Sequence, residues 1–314
     1  MPSSPAPEPG FVTEPLVVAI FGPTASGKTD VAQAIADRVP ARLISADAMQ
    51  VYRGLPILTN QSDRPTELVG IWELDHETSV GEYAELAHAA IDRALADGSI
   101  PVVVGGTGLY LRAALVELDL PPAPDPGVRE RWEREYDRLG AEAAHDLLAA
   151  RDPAAAARVH MNDRRRVVRA LELADSGASL MPRDGRLWSE ETRHPTLLVG
   201  LDVPKDVLDR RIEARTRRMF ENGVEEEVAR ALGGPISPTA RTIFGLHEIA
   251  ELSREEAQES LVRRTKQYAS YQRKWMRRVP GLVSVLADRP AGEVADEILE
   301  MARSRERLPA GPAG

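Results

Sequence analysis

The chain has 314 residues, 43% of them hydrophobic, with a formal net charge of -9 and no cysteine. That is ample apolar material for a main domain and a smaller second one. The missing thiols exclude disulfides, thiolate catalysis and sulfur-ligated zinc, and they fit a cytoplasmic protein. No apolar run reaches the ~18 residues of a membrane span. The opening MPSSPAPEPG lacks the basic and apolar regions of a signal peptide, so residues 1–14 are expected to form a disordered leader and 305–314 a disordered tail.

In chain order, the apolar run Leu16 to Phe21 predicts a first strand and Asp30 to Val39 a first helix. Between them stands Gly22-Pro23-Thr24-Ala25-Ser26-Gly27-Lys28-Thr29, a complete GxxxxGK[ST] phosphate loop in strand-turn-helix context. Its glycines let backbone N–H groups turn inward around a polyphosphate, and the following helix N-terminus adds partial positive charge. Lys28 supplies a mobile cation, and the Thr29 hydroxyl is the expected protein ligand of a phosphate-bound Mg²⁺.

Ala41 to Ser45 predicts a second strand ending at Ala46-Asp47, Glu82 to Asp97 a helix, and Pro101 to Val104 a third strand ending in Gly105-Gly106-Thr107-Gly108. This alternation specifies a parallel sheet whose ligand crevice lies at the carboxyl ends of its strands, which points Asp47 and Thr107 at the mouth of the phosphate loop. After the helical Leu109 to Val116 comes the proline-rich hinge Pro121 to Pro126, then helical sequence through Ser176 without a strand. The sheet resumes at Thr196 to Leu201, followed by helices Lys205 to Asn222 and Arg254 to Arg278, a last strand Leu282 to Leu286 and a last helix Ala291 to Arg303. The expected fold is α/β, a P-loop NTPase-like parallel sheet core (15–120 and 195–304) with a helical insertion domain (121–194).

The acidic total hides two basic clusters. Arg164, Arg165, Arg166 and Arg169 form one; Arg263, Arg264, Lys266, Arg273, Lys274, Arg277 and Arg278 form the other. Either alone reads as a solvated helix face. Tyr268, Tyr271 and Trp275 lie three and four apart within the second cluster, a spacing expected of a helix face packed into the core. The six histidines show no metal-ligand spacing and read as packing or surface residues.

Several segments together resemble the bacterial tRNA dimethylallyltransferases: GPTASGKT at Gly22 to Thr29, Ile44 to Gly54 as ISADAMQVYRG, Val104 to Tyr110 as VGGTGLY, Arg165 to Glu172 as RRVVRALE, and Thr265 to Arg278 as TKQYASYQRKWMRR. The likeness runs from about residue 15 to about residue 290. It departs at Ala48, where the family usually has Ser, at Leu58 to Ser62 in place of Gly-Thr-Ala-Lys-Pro, and at Gly245 to Glu248, which stand for Gly-Tyr-Lys-Glu.

The resemblance implies an enzyme that moves a dimethylallyl group from dimethylallyl diphosphate to the exocyclic N6 amine of the adenosine 3′-adjacent to the anticodon, with Mg²⁺. It implies Asp47 as base, Lys28, Thr107 and Arg215 acting on the diphosphate, and Gly22 to Thr29 binding it. Arg211, Arg217 and Arg218 compete with Arg215 for that assignment. It also implies tRNA contacts by Asp47, Ala48, Met49, Gln50, Arg165, Arg166, Arg169, Lys266, Arg273 and Lys274, and a monomer. Three alternatives stand beside this reading: an adenylate isopentenyltransferase acting on free AMP, ADP or ATP, a P-loop small-molecule kinase, and a non-catalytic RNA-binding protein.

Overall fold

The computed structural model describes residues 16–118, 127–180 and 185–306. The expected leader, the proline-rich hinge and nearly all of the expected tail lie outside them. The chain divides into two compact units, Met1–Glu117 with Leu187–Gly314, and Leu118–Arg186.

The first unit is built on five parallel strands, β1 (Val17–Phe21), β2 (Ala41–Ser45), β3 (Ile100–Gly105), β4 (Thr196–Asp202) and β5 (Val283–Leu286), in the order β2-β3-β1-β4-β5. β1 is buried along its whole length, as a central strand covered on both faces must be. Its register sets Phe21 beside Gly105 of β3 on one side and Gly200 of β4 on the other. The chain therefore leaves β1 at the point where strand order reverses, where the crevice of an open α/β sheet opens.

The helices of this unit that precede the excursion are α1 (Lys28–Ala36), α2 (Pro56–Thr59), α3 (Val80–Ala96) and α4 (Gly108–Leu115). α1 begins two residues earlier than the hydrophobic pattern suggests, because Gly27 at φ 88° turns the backbone directly into it. α3 also begins two residues early, at Val80, because the Ser79 side chain accepts the Glu82 N–H and caps it. On one face of the sheet Val18, Ile20, Val199 and Val285 pack with Val31 and Ile35 of α1 in a continuous apolar core.

The second unit is helical: α5 (Val128–Leu139), α6 (Ala141–Arg151), α7 (Pro153–Ala156) and α8 (Arg164–Asp175). Its core is Trp132, Tyr136, Leu148, Val167 and Leu171 with small alanines between them. A buried acid crosses that core. The Glu172 side chain is 0% exposed and receives Arg129 Nε at 2.9 Å and Arg169 Nη1 at 3.0 Å, which ties α5 to α8. Asp175 at the end of α8 accepts from Trp132 Nε1 at 2.7 Å and Arg151 Nη1 at 2.9 Å.

The chain returns to the first unit through a 3₁₀ turn, Gly185–Trp188. After β4 come α9 (Lys205–Glu221), α10 (Val224–Leu232), α11 (Leu246–Glu251), α12 (Arg254–Met276) and, after β5, α13 (Ala291–Glu306). The sequence pattern shows neither α10 nor α11, and it runs α12 two residues too far. α10 matters to the site, because its buried Glu227 accepts the N–H groups of Ile57 and Leu58 at 2.9 and 2.8 Å and so holds the N-terminus of α2.

Removing one partner of a buried ion pair costs about 3 kcal/mol or more. Glu172→Ala is expected to lower stability by about 3 kcal/mol, measured by urea unfolding followed by circular dichroism, whereas Glu133→Ala on the exposed flank of α5 shifts the midpoint little.

Candidate active site

The phosphate loop takes its shape from two left-handed residues, Ala25 at φ 63° and Gly27 at φ 88°. Successive amides in such a turn face one concavity and form an anion nest at the start of α1. Gly22 is needed for packing, since a Cβ there would lie 2.8 Å from Ser26 Oγ. That Ser26 hydroxyl is buried and has no hydrogen-bond partner among the described residues.

Above the loop lies a cavity of about 680 Å³, within the first unit. Thr24, Ala25, Ser26, Gly27, Lys28 and Thr29 line it, together with Asp47, Met49, Gln50 and Arg215. Gly22, Pro23, Ala48 and Thr107 are not part of its wall. The Thr107 hydroxyl instead accepts the Ala48 N–H at 3.2 Å and so joins the turn after β3 to the loop after β2. Asp47 Oδ1 accepts the Met49 N–H at 3.0 Å, which sets the carboxylate at the cavity edge.

Of the four arginines that compete in sequence, Arg215 is the one bonded to the phosphate loop: its Nη1 donates to Thr24 Oγ1 at 3.0 Å. Arg211 and Arg218 also line the cavity, and Arg211 pairs with Asp288 at 3.3 Å. Burial lowers the pKa of both Arg215 and Lys28. For Lys28 it pulls the value down to about 8, against a partial upward pull from the Asp47 charge, with the Arg215 charge lowering it further. Its Nζ donates to the Pro23 carbonyl at 2.8 Å. Cations thus outnumber carboxylates around a concavity built for an anion, with Lys28 and Arg215 buried at the phosphate loop.

Gln50 lines this cavity, but its amide is committed: Oε1 accepts from Ser45 Oγ at 3.0 Å, and Nε2 donates to the carbonyls of Thr59 and Asn60 at 3.2 and 3.0 Å. It shapes the wall that Leu58 and Asn60 complete. Leu58 to Ser62, where the sequence departs from the family it resembles, is therefore a cavity wall held from behind by Glu227 and Gln50.

Sequence reasoning gave no role to Gln272, which is 3% exposed. Its Oε1 accepts the Thr24 N–H at 2.8 Å and its Nε2 donates to the Gly106 carbonyl at 2.7 Å, so one amide of α12 joins the loop after β1 to the turn after β3. The glycines of that turn are the reason α12 comes so close. A Cβ on Gly105 would lie 2.0 Å from the Ala46 carbonyl, one on Gly106 2.3 Å from Gln272 Nε2, and one on Gly108 2.2 Å from the Trp275 ring. The only signal in the sequence was the position of Gln272, one helical turn beyond Tyr268.

The expectation that Tyr268, Tyr271 and Trp275 pack into the core is overturned. Tyr271 is 55% exposed and the other two are half-buried. Tyr268 lines the cavity, its hydroxyl shared with Thr107 and Gln272. The core-facing positions of α12 are Ala257, Ser260, Leu261, Ala269, Gln272 and Met276.

The basic residues divide. Lys266, Arg273 and Lys274 line a separate groove of about 240 Å³ between α9 and α12, where Lys266 pairs with Glu213 at 2.6 Å and Arg273 with Asp202 at 3.4 Å. In the helical unit Arg169 is bound to Glu172, Arg166 lies 3.6 Å from Asp163, and Arg165 is exposed without an ion pair among the described residues.

Residues 50–279 match the family model described as IPP transferase, and residues 15–70 match one described as isopentenyl transferase. A tRNA dimethylallyltransferase of Thermobifida fusca is 41% identical, over 84% of this chain and 88% of its own length. One of Kineococcus radiotolerans is 36% identical, over 95% and 98%. Among solved structures, the full-length tRNA isopentenylpyrophosphate transferase of Bacillus halodurans superposes with a TM-score of 0.67 at 30% identity, covering 93% of this chain and 97% of that one. A eukaryotic dimethylallyltransferase acting on tRNA shares the fold, with a TM-score of 0.73 at 22% identity over 95% of this chain and 82% of that one.

The Lys28 shift has a sign that can be tested. Its folded value of about 8 lies below the ordinary 10.5, so between those values the unfolded chain holds the extra proton and stability rises with pH. A bound anion reverses this by drawing the proton back. At pH 8.5, inorganic pyrophosphate is expected to bind with uptake of about three quarters of a proton more by the wild type than by Lys28→Met, read from calorimetric heats in two buffers. Equal uptake would mean that Lys28 is already fully charged in the empty site.

Proposed function

The chain belongs to the IPP transferase family, and from that footing we propose that it transfers the dimethylallyl group of dimethylallyl diphosphate to the N6 amine of the adenosine 3′-adjacent to the anticodon in tRNA, releasing diphosphate. The observation that carries this reading is the convergence of the phosphate loop, Lys28, Arg215 and Asp47 on one cavity whose wall includes α12.

As the bond between the allylic carbon and the diphosphate oxygen breaks, negative charge grows on the leaving group. The nest amides, Lys28 and Arg215 meet it without reorganising. The Thr107 hydroxyl accepts the Ala48 N–H through a lone pair and keeps its own proton to donate to the diphosphate. The N6 lone pair forms the new C–N bond, and its proton passes to Asp47, whose Oδ2 is left available by the bond from Met49 N to Oδ1.

The residues present suit Mg²⁺. Thr29 offers one neutral oxygen at the cavity, and no cluster of three or more acidic or imidazole ligands stands among the described residues. Such a site fits a hard cation that keeps mostly phosphate and water oxygens, and when bound it would neutralise leaving-group charge.

For the acceptor, we assign Asp47, Ala48, Met49 and Gln50 to the neighbourhood of the extruded base. Phosphate contacts fall to Arg165 and Arg166 of the helical unit, with Arg169 bound to Glu172 on the same helix, and to Lys266, Arg273 and Lys274 of α12. No helix of the described residues is long and apolar enough to cross a membrane, and we place the enzyme in the cytoplasm as a monomer.

Labelled dimethylallyl diphosphate is expected to transfer its label to tRNA and leave AMP unlabelled at comparable concentration; transfer to AMP, or of phosphate from labelled ATP, would refute the reading. Asp47→Asn is expected to slow single-turnover transfer by roughly 10² to 10⁴ while tRNA affinity holds. Arg165→Ala and Arg166→Ala should each weaken tRNA binding and lower the slope of log affinity against log salt by about one. Dimethylallyl diphosphate affinity should be unchanged in both, measured by filter binding across a salt series.

A further inference from the structure

α12 carries a row of aromatic rings that begins in the cavity and ends in solvent. Phe244 and Tyr268 line the cavity and meet edge to face at 5.0 Å. Tyr271 follows Tyr268 at 6.4 Å with its ring inclined by only 21°. Trp275 Nε1 donates to the Tyr271 hydroxyl at 2.8 Å, and Trp275 itself packs on Trp188 at 4.8 Å. The Tyr271 ring is therefore held in place by its neighbours on the helix although it is 55% exposed.

Cations gather at the solvent end of the row. The Arg278 guanidinium lies over Trp188 at 4.4 Å, and no ion pair joins Lys274, Arg277 or Arg278 to a carboxylate among the described residues. An oriented, exposed ring among unpaired cations is poorly explained as structural packing. It is how proteins hold single-stranded nucleic acid, with bases stacked on aromatics and phosphates met by Arg and Lys.

Building on the tRNA-modifying reading above, we propose that Tyr271 is a stacking platform for the nucleotide adjacent to the adenosine in the cavity. An adenosine drawn out of its stack leaves its neighbour with an uncovered face. Tyr271, one helical turn from the cavity-lining Tyr268, offers a ring to replace the lost partner. The residue sets which loop conformations bind; it does not touch the reacting atoms.

The test uses the full-length protein and an anticodon stem-loop RNA, with the nucleotide on either side of the target adenosine made abasic in turn. Tyr271→Ala is expected to weaken binding of the intact RNA about tenfold, the scale of one base–aromatic stack. It should have no effect on the RNA whose stacked neighbour is abasic. Tyr271→Phe, which keeps the ring, should bind like the wild type, and 2-aminopurine at that position should be quenched by wild type and Tyr271→Phe but not by Tyr271→Ala. Inorganic pyrophosphate affinity should be the same in all three proteins.

An equal loss for Tyr271→Ala on intact and both abasic RNAs, or no loss on any, would overturn the platform while leaving transfer to tRNA by the wild type intact. Wild-type protein that prenylates AMP and not the stem-loop would overturn the underlying reading as well.

Discussion

The Gln272 side chain is the joint on which the site depends. Thr24 and Gly106 lie on loops that follow different strands, and nothing local to either brings them to a common distance. A single buried amide does so by accepting from one backbone and donating to the other. Leaving either group unpaired in that interior would cost about as much as a lost hydrogen bond or more, so the position of α12 and the shape of the phosphate loop are set together. The glycines after β3 are the steric condition for this joint, because any Cβ at Gly106 or Gly108 would occupy the space of Gln272 or Trp275. The helix that carries exposed cations and aromatics is thereby locked to the loop that would grip the diphosphate.

The electrostatics follow from that enclosure. Two cations, Lys28 and Arg215, are both destabilised by burial and only partly relieved by Asp47. An empty site in this state carries unspent positive potential, which an incoming diphosphate neutralises. Asp47 lies at the edge of the same cavity, so a candidate base and an anion site share one enclosure. Leu58 to Ser62, the segment most unlike its family, is held by Glu227 and Gln50 rather than by the cations. Its divergence thus alters the cavity wall and drops the lysine of the family's segment, while Lys28, Arg215 and Asp47 keep their places.

The helical unit is stabilised in another way. It has a small aromatic and alanine core, reinforced by carboxylates that each collect more than one donor, Glu172 from two arginines and Asp175 from Trp132 and Arg151. This explains why the arginine cluster that looks uniform in sequence has two characters. Arg169 is tied to a buried acid, whereas Arg165 and Arg166 on the same helix remain exposed. Charge runs read in sequence mix structural and available cations, and only the face of the helix separates them.

The sequence alone determined whatever depends on neighbours along the chain. Eight contiguous residues specify the phosphate loop, since its nest is made of its own amides and the helix it enters. Apolar runs of strand length separated by helical segments specify the parallel sheet. The family likeness added Asp47 through the motif around it. Tertiary structure decided what depends on elements far apart in sequence. Gln272 meets Thr24 across 248 positions and Glu227 meets Leu58 across 169, and no local spacing encodes either contact. The same holds for Arg215 against Arg211, Arg217 and Arg218: α9 presents all of them, and its rotation on the sheet selects the one that bonds Thr24. The aromatic positions of α12 looked like a core stripe because their spacing is helical, yet small and polar residues, Ala269 and Gln272, occupy the buried face. The glycine turn receives the Gln272 amide at Gly106 and the Trp275 ring at Gly108, while Tyr271 is left facing solvent.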